Sequence, residues 1–208
     1  MPWKKIILIT LLGFAASCGT PSKDRWSPLW IERSADNSSA KLYGTVHKQS
    51  FDVLIDFLDQ NSDTTTLVFV DMAGSADDDT NLMLAREIRR RGLNTRAISS
   101  TEIESGAVDL FLAGVERTAA CGAKFGVHSW YDSAGYGPRD IARDSSHPDH
   151  AMFISYYNEM GIDEALYWYT VDAAPPEDIL VMSWRDLNKY NILTVPIECS
   201  NHPSIDSK

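Results

Sequence analysis

Apolar and polar residues follow two different periods along the chain, one helical and one extended. Positions 51, 54, 55 and 58 are apolar within a polar stretch, which is the spacing of an amphipathic helix. Residues 66–70 form a nearly continuous β-branched and aromatic run, typical of a strand buried on both faces. Residues 82–91 return to a helical pattern, and residues 93–98 indicate a short strand. This order predicts a βαβ unit and therefore a parallel sheet.

The rest of the pattern extends the same alternation. Residues 41–46 indicate a first strand, 106–114 an apolar helix, 124–128 another strand, and 192–197 a last strand after a helical stretch at 178–190. Residues 152–169 predict an aromatic-rich helix interrupted at Gly161; its rings form either core or subunit interface, or line a substrate groove. The predicted fold class is α/β with one domain.

Residues 132–150 are rich in Gly, Asp and Pro, and predict a loop. Within it, His147 and His150 lie close to Asp144, a density of side chains that can ligate a metal. Pro148 disfavours a helix that would place both histidines on one face. A solvated loop is the better interpretation, and no metal site is predicted.

Composition and charge exclude one class of partner. The 208 residues are 44% hydrophobic and 23% charged, as in ordinary globular proteins, and carry a formal net charge of −10. No basic excess is available to neutralise phosphates, which argues against nucleic-acid binding. An anionic membrane surface would also repel the chain, so membrane attachment requires a covalent or apolar anchor.

The N-terminus has the parts of an export signal. Lys4 and Lys5 precede an apolar run at residues 6–14 that is too short to span a bilayer, which needs about 20 residues. The small-residue sequence that follows, 15–18, resembles a bacterial lipoprotein lipobox, which implies that Cys18 is acylated, with palmitate among its lipids. The alternative is an ordinary signal peptide cleaved near Ser17. Either interpretation predicts export.

The predicted organisation is a signal peptide at 1–17, a lipid-anchored tether at 18–40, a domain at 41–199 and a tail at 200–208. By the same resemblance the protein faces the periplasm, and Gly19 after the acylated cysteine favours the outer membrane. Two cysteines then remain, Cys121 and Cys199. They either pair in the oxidising envelope or stay free and buried.

Candidate chemistry centres on a serine and a histidine 23 positions apart. Ser105 opens an apolar helix, and His128 ends an apolar strand. A nucleophilic serine needs a base and donors for the oxyanion, and Gly106 allows a backbone N–H to approach a substrate closely. The competing interpretation is that Ser105 caps the helix. The nucleophile elbow of α/β-hydrolases requires Gly-x-Ser-x-Gly, which residues 103–107 lack.

Four segments occur in an order that resembles the Clp-protease and crotonase superfamily, and most closely its exported branch of Clp-fold serine proteinases. They are residues 72–75, 105–107, 113–114 and 126–128, with sequences Met-Ala-Gly-Ser, Ser-Gly-Ala, Ala-Gly and Gly-Val-His. The resemblance implies a repeated ββα spiral with a mostly parallel sheet. It also implies that Ser105 is the nucleophile, His128 the general base, and the N–H groups of Gly74 (or Ser75) and Gly106 the oxyanion hole.

The acidic member of the triad is the weak part of this resemblance. In Clp-type peptidases the acid precedes a Met-Ser or Leu-Ser pair, and here Met182 and Ser183 place it at Ile179. The nearest carboxylate is Asp178, the preferred candidate. The alternatives are that Asp140 or Asp172 is the acid, or that the site has no acid.

These features predict an exported, lipid-anchored serine hydrolase, most simply a peptidase that acts on a peptide or protein without a cofactor. A homo-oligomer is also expected from the resemblance. The alternative is a non-catalytic crotonase-like lipoprotein that binds a partner or serves as a scaffold, because fold alone does not imply activity.

Overall fold

A seven-stranded sheet forms the centre of the computed structural model, which describes residues 24–131 and 134–200. The strands are β1 Trp30–Arg33, β2 Ser39–Val46, β3 Thr66–Ser75, β4 Asn94–Glu104, β5 Arg117–Ala119, β6 Lys124–Val127 and β7 Leu180–Val181. The helices are α1 Ser50–Gln60, α2 Asp78–Arg90, α3 Gly106–Leu112, α4 Pro148–Glu159, α5 Ala165–Ala173 and α6 Trp184–Lys189. None of these helices is long and apolar enough to cross a membrane. The predicted signal peptide, Cys18 and residues 201–208 lie outside the described ranges.

The sheet is parallel at its centre and antiparallel at its two edges. The strand order is β1-β2-β3-β4-β6-β7, and β5 pairs with β4 beside β6. Only β1 and β7 run antiparallel to their neighbours. The predicted α/β class with a mostly parallel sheet is therefore confirmed. Because β3, β4 and β6 are parallel, their carboxyl ends meet at one edge of the sheet.

Three phenylalanines fix helix α3 against the sheet. Phe111 of α3 packs edge-to-face on Phe69 of β3, at 5.4 Å between ring centroids, and on Phe125 of β6, at 5.0 Å. All three side chains are fully buried. Such aromatic pairs each contribute about 0.5–1.5 kcal/mol beyond the burial of their surface. The start of α3, and with it Ser105, is thereby held at a defined place over the sheet.

The N-terminal part of the described chain belongs to the domain, which corrects the predicted tether. Residues 30–33 pair with β2, and Leu29 is almost fully buried. Trp30 stacks on Tyr43 with ring centroids 4.3 Å apart. The Arg25 guanidinium lies 3.2 Å from a Glu104 carboxylate oxygen. The polar composition of this segment concealed that Leu29 is buried and that Trp30 and Ile31 are partly buried at the sheet edge.

The C-terminal segment also differs from its prediction. Residues 178–190 form the short strand β7 and helix α6, and no strand forms at 192–197. The guanidinium of buried Arg117 donates to the carbonyls of Ile192, at 2.8 Å, and Asn191, at 3.0 Å. These side-chain bonds take the place of a strand ladder. Ile192 is nevertheless fully buried, which explains its apolar character.

The predicted loop around His147 ends earlier than expected. Helix α4 begins at Pro148, a position where proline is tolerated because the N–H it lacks would have no partner within the helix. His147 caps this helix, and His150 is completely buried rather than solvated.

Cys121 and Cys199 form a disulfide, with Cα atoms 5.7 Å apart. The bond decides between the two alternatives left open by the sequence. It links the turn before β6 to the C-terminal segment, across a sequence separation of 78. Closing so long a loop reduces the conformational entropy of the unfolded chain and stabilises the folded domain.

Candidate active site

Ser105 occupies a sharp turn between a strand and a helix. β4 ends at Glu104 and α3 begins at Gly106, with φ 52° and ψ −133° for the serine between them. A positive φ is uncommon outside glycine and costs on the order of 1–3 kcal/mol. The Ser105 amide donates to the carbonyl of Gly126 at 2.9 Å, which ties this turn to β6. Strain of this kind is concentrated at functional sites.

Helix capping does not account for the serine. Ser105 stands at the N-cap position of α3, but its side chain makes no capping hydrogen bond. Its hydroxyl makes no other hydrogen bond within the described ranges, and it lines a cleft. The hydroxyl is therefore available to a ligand in that cleft.

Two glycines pack directly around Ser105. A Cβ added to Gly74, which has a φ of +123°, would lie 2.9 Å from the Cβ of Ser105 and 3.1 Å from the Glu104 carbonyl oxygen. A Cβ on Gly106 would collide with the side chain of Ser75. Only glycine permits this approach of β3 to the turn.

A buried amide side chain fixes the turn from the other side. The Nδ2 of Asn81, in α2, donates to the Gly106 carbonyl at 2.8 Å. Asn81 is 1% exposed, and its Oδ1 is buried without a hydrogen-bond partner among the described residues. The amide of Gly106 begins α3, where backbone N–H groups have no partner within the helix.

His128 follows the strand next to that of Ser105. β4 and β6 pair in parallel with Glu104 opposite Gly126, so the residues after both strands lie at one edge. Ser105 and His128 line the same cleft. They are not hydrogen-bonded to each other here, and such contacts often tighten only around a substrate. The Nδ1 of His128 is buried and has no hydrogen-bond partner within the described chain.

The predicted acids lie elsewhere. Asp178 is exposed, and its carboxylate accepts a hydrogen bond from the backbone N–H of Ile179 at 2.8 Å. Asp140 accepts from a loop amide, and Asp172 pairs with an arginine. Within the described ranges, none of the three forms a hydrogen bond or ion pair with His128. The structure thus brings the predicted serine, histidine and both glycines together, and leaves the predicted acid outside the cleft.

Two carboxylates that the sequence analysis did not select line the cleft instead. The lining residues are Asp78, Ser105, Gly106, Val108, Asp109, Val127, His128, Trp130, Phe153, Tyr157, Tyr167 and Thr170. Asp109 lies one helical turn after Ser105 and accepts a hydrogen bond from the Tyr157 hydroxyl at 2.6 Å. Burial raises the pKa of Asp109 to about 7, the hydrogen bond from Tyr157 opposes the rise, and the charge of Asp78 adds to it.

Asp78 is the first residue of α2 and accepts a hydrogen bond from the Ser75 hydroxyl. Asp78 is exposed at the mouth of the cleft, yet desolvation by the surrounding protein raises the pKa of its carboxyl. The Ser75 hydrogen bond lowers the pKa, and the charges of Asp77 and Asp79 raise it further. Shifted pKa values in a cleft mark candidates for a functional role.

Aromatic side chains from α4, α5 and the segment after β6 form the cleft wall. The Trp130 Nε1 donates to the Tyr167 hydroxyl at 3.0 Å, and the rings of Phe153 and Tyr167 stack at 5.7 Å. The Nδ1 of buried His150 lies 2.5 Å from the same hydroxyl. Within the aromatic stripe, Tyr156 is buried in the core, as one interpretation expected, while Phe153 and Tyr167 line the cleft.

Comparison with known proteins reveals similarity at the level of structure. No protein-family model and no curated protein matches the sequence. An enoyl-CoA hydratase from Shewanella pealeana aligns at 11% identity with a TM-score of 0.50. The alignment covers 82% of this chain and 68% of the hydratase. The chain has the Clp/crotonase fold.

Other structures of this fold are less similar in shape. The membrane-bound stomatin-specific protease 1510-N, in a mutant form with a substrate peptide, aligns at 15% identity and a TM-score of 0.43 over 70% of this chain. This chain covers 66% of that protease, slightly less than two thirds. A methylmalonyl-CoA decarboxylase aligns at 12% identity with a TM-score of 0.48. The alignment covers 81% of this chain and 68% of the decarboxylase. These proteins differ in chemistry, so the likeness concerns the fold alone.

One signal in the sequence could have identified Asp109. It is the only charged residue in α3, between Val108 and Leu110, where every other residue of the helix is buried. A lone carboxylate on a helix buried within the Clp/crotonase fold needs a polar cavity or a partner. Asp78, by contrast, resembles an ordinary acidic residue in the first turn of a helix.

Replacing Asp109 with asparagine is expected to stabilise the protein most at high pH. The pKa of the folded-state carboxyl is about 7, against a reference value of 3.8. Ionisation of Asp109 therefore destabilises the folded protein. This loss of stability begins above about pH 4 and is complete above about pH 7. Asparagine removes this cost and can still accept from Tyr157. The gain in unfolding free energy should be about 1–3 kcal/mol larger at pH 8 than at pH 5.

Urea denaturation at pH 5 to 8 measures this difference. Asp56→Asn on the exposed face of α1 is the matched control, and its effect should not increase with pH in this way. An Asp109→Asn variant that is destabilised equally at every pH would contradict the assignment of a raised pKa.

Proposed function

We propose that this protein is a serine hydrolase, most simply a peptidase, with Ser105 as nucleophile and His128 as general base. The observation that carries the proposal is the strained turn at Ser105, which holds an unbonded hydroxyl in a cleft shared with His128. The close packing of Gly74 and the start of α3 at Gly106 support oxyanion donors on both sides of the serine.

In the proposed reaction the Ser105 oxygen attacks a substrate carbonyl while His128 accepts the hydroxyl proton. The oxyanion that forms accepts hydrogen bonds from the N–H groups of Gly74 (or Ser75) and Gly106. The tetrahedral intermediate then expels the leaving group, which takes the proton from His128, and an acyl-enzyme remains on Ser105. Water activated by His128 hydrolyses this ester and restores the serine.

The non-catalytic alternative is favoured by one observation: the Nδ1 of His128 has no hydrogen-bond partner among the described residues. In a complete triad this nitrogen donates to a carboxylate that orients the imidazole, and replacing that carboxylate by an amide lowers turnover about 10⁴-fold. A hydrolase working with Ser105 and His128 alone is therefore expected to turn over slowly. The assignment of Asp178 as the acid remains a prediction that would require its segment to rearrange.

We also propose that the protein is exported and held at the envelope by an acylated Cys18. The disulfide between Cys121 and Cys199 supports an oxidising compartment, since such bonds are rare in the reducing cytosol. Cys18 would then be the lipid attachment site, and the tether would end where the described domain begins.

Ser105→Ala is expected to abolish covalent labelling of the native protein by a fluorophosphonate probe, because the reactive oxygen is removed. His128→Ala should lower the labelling rate by at least about 100-fold, since the base is lost. Ser100→Ala is the matched control on an exposed serine of β4, and labelling should persist. Labelling of the Ser105→Ala protein would contradict the assignment, and an unlabelled wild-type protein would favour the binding alternative.

Gly74→Ala is expected to lower the labelling rate by about 10²–10³-fold, because the new Cβ displaces Ser105 and the neighbouring oxyanion donor. Gly92→Ala is the matched control. Gly92 also has a positive φ, +69°, but a Cβ there meets nothing within 4 Å. Its cost is about 1–2 kcal/mol of backbone strain, with labelling retained. Equal effects of both substitutions would argue against a specific role for Gly74.

Cys18→Ser is expected to move the protein from the membrane fraction to the soluble fraction of a bacterial envelope, because the lipid attachment site is removed. Mass spectrometry of the wild-type protein should show an acylated N-terminal cysteine. Cys199→Ser serves as the control and should remain with the membrane. Membrane retention of the Cys18→Ser protein would contradict the anchor.

A further inference from the structure

The cleft beside Ser105 is acidic, and His128 is the only side chain in its lining that can carry a positive charge. Asp109 and Asp78 are its two carboxylates, and no lysine or arginine is among the lining residues. Asp109 accepts only the hydrogen bond from Tyr157, and Asp78 only that from Ser75, within the described ranges. Neither forms an ion pair there. The negative charge of this cleft is thus left for a ligand to balance.

The position of Asp109 makes a purely structural role unfavourable. The Asp109 side chain is only partly exposed, and burial without a cation among the described residues disfavours its charged form and raises its pKa. Apolar residues fill every other position of α3, so a leucine or alanine at 109 would suit the helix interior. Asp109 nevertheless lies beside Ser105, the proposed nucleophile. A carboxylate retained at such a position is expected of a site that binds a charged group.

The aromatic side chains of the cleft wall, like the carboxylate of Asp109, can bind a cation. The rings of Trp130, Phe153, Tyr157 and Tyr167 line the same space as Asp109. Aromatic faces carry partial negative charge and attract ammonium and guanidinium groups by about 0.5–2 kcal/mol. An anionic substrate would instead meet two carboxylates, and a neutral aliphatic group would leave Asp109 unpaired.

The positions of Ser105 and Asp109 indicate which part of a substrate would reach the Asp109 carboxylate. Ser105 immediately precedes α3, Asp109 is the fourth residue of that helix, and both line the same cleft. A group bound at Asp109 must therefore be joined by a short chain to the carbonyl carbon attacked by Ser105. The aliphatic part of a lysine or arginine side chain has the required length and would pack on the aromatic wall.

We propose that the cleft selects substrates in which the residue supplying the scissile carbonyl carries an ammonium or guanidinium side chain, with Asp109 as its principal partner and Asp78 as a second negative charge. This specificity rests on the proposed hydrolase function. Val108 and Val127 supply apolar contacts to the same space but no charge.

A matched pair of peptidyl diphenyl phosphonates tests the proposal, one with lysine and one with norleucine at the position next to the phosphonate. The two side chains have the same aliphatic stem and differ in charge. Wild-type protein should react with the lysine compound faster by about tenfold or more, and Asp109→Asn should bring the ratio of the two rates close to one. Asp79→Asn, an exposed neighbour of Asp78 outside the cleft, should keep the wild-type ratio.

Two further measurements separate the possible failures. Labelling by fluorophosphonate together with an equal rate for both phosphonates would overturn the cation proposal and leave the hydrolase intact. If no reagent labels the protein, the hydrolase fails, and binding of N-acetyl-lysine amide and N-acetyl-norleucine amide to the wild type, followed by NMR, tests the cation site alone. A lysine preference that Asp109→Asn removes supports the site, and equal binding overturns it.

Folding of the variants is verified independently. Thermal unfolding should show that Asp109→Asn is at least as stable as the wild type, so that a lost preference reflects lost charge. Asp109→Glu keeps the charge and should retain part of the lysine preference, which a merely structural effect of residue 109 would not produce.

Discussion

The approach of the β3 backbone to the turn between β4 and α3 is the constraint on which the site depends. Gly74 contacts Ser105 so closely that even a methyl group would not fit, and the turn in return holds its serine at a positive φ. Parallel pairing of β4 with β6 holds the same turn from the other side through the bond from Ser105 to Gly126. Ser105 is thus fixed by backbone contacts, and its hydroxyl forms no hydrogen bond within the described ranges.

Maintaining that geometry requires a rigid core beneath it. The edge-to-face packing of Phe69, Phe111 and Phe125 connects the two strands with the helix that starts at Ser105. The buried amide of Asn81 holds the first carbonyl of that helix. A strained residue persists only where its surroundings determine the conformation completely, and here the surroundings are two strands and two helices.

Incompletely satisfied polar groups are concentrated near this rigid turn. The Nδ1 of His128 and the Oδ1 of Asn81 are buried without partners among the described residues, and the Asp109 carboxyl has no cationic partner there. Each lowers the stability of the isolated chain, and each could gain from a bound ligand. The stabilising features, by contrast, lie at a distance, in the disulfide and in the carbonyl contacts of Arg117. The stabilising contacts of the domain therefore lie away from the cleft, and the polar groups without partners lie in or near it.

Local sequence patterns were sufficient for the central architecture. The apolar runs at β3 and β6 and the periodicity of α1 and α2 determine a parallel α/β sheet. That Gly74, Ser105, Gly106 and His128 would share one site was implied by the resemblance to the Clp-protease and crotonase superfamily. The same patterns failed at the edges, where residues 30–33 pair with β2 and residues 192–197 are held by Arg117, because those contacts join segments distant in sequence. Only the tertiary structure paired Cys121 with Cys199, excluded Asp178 from the cleft and placed Asp109 within it. Spacing along a chain specifies the faces of elements, whereas the surroundings of a carboxylate depend on how those elements pack.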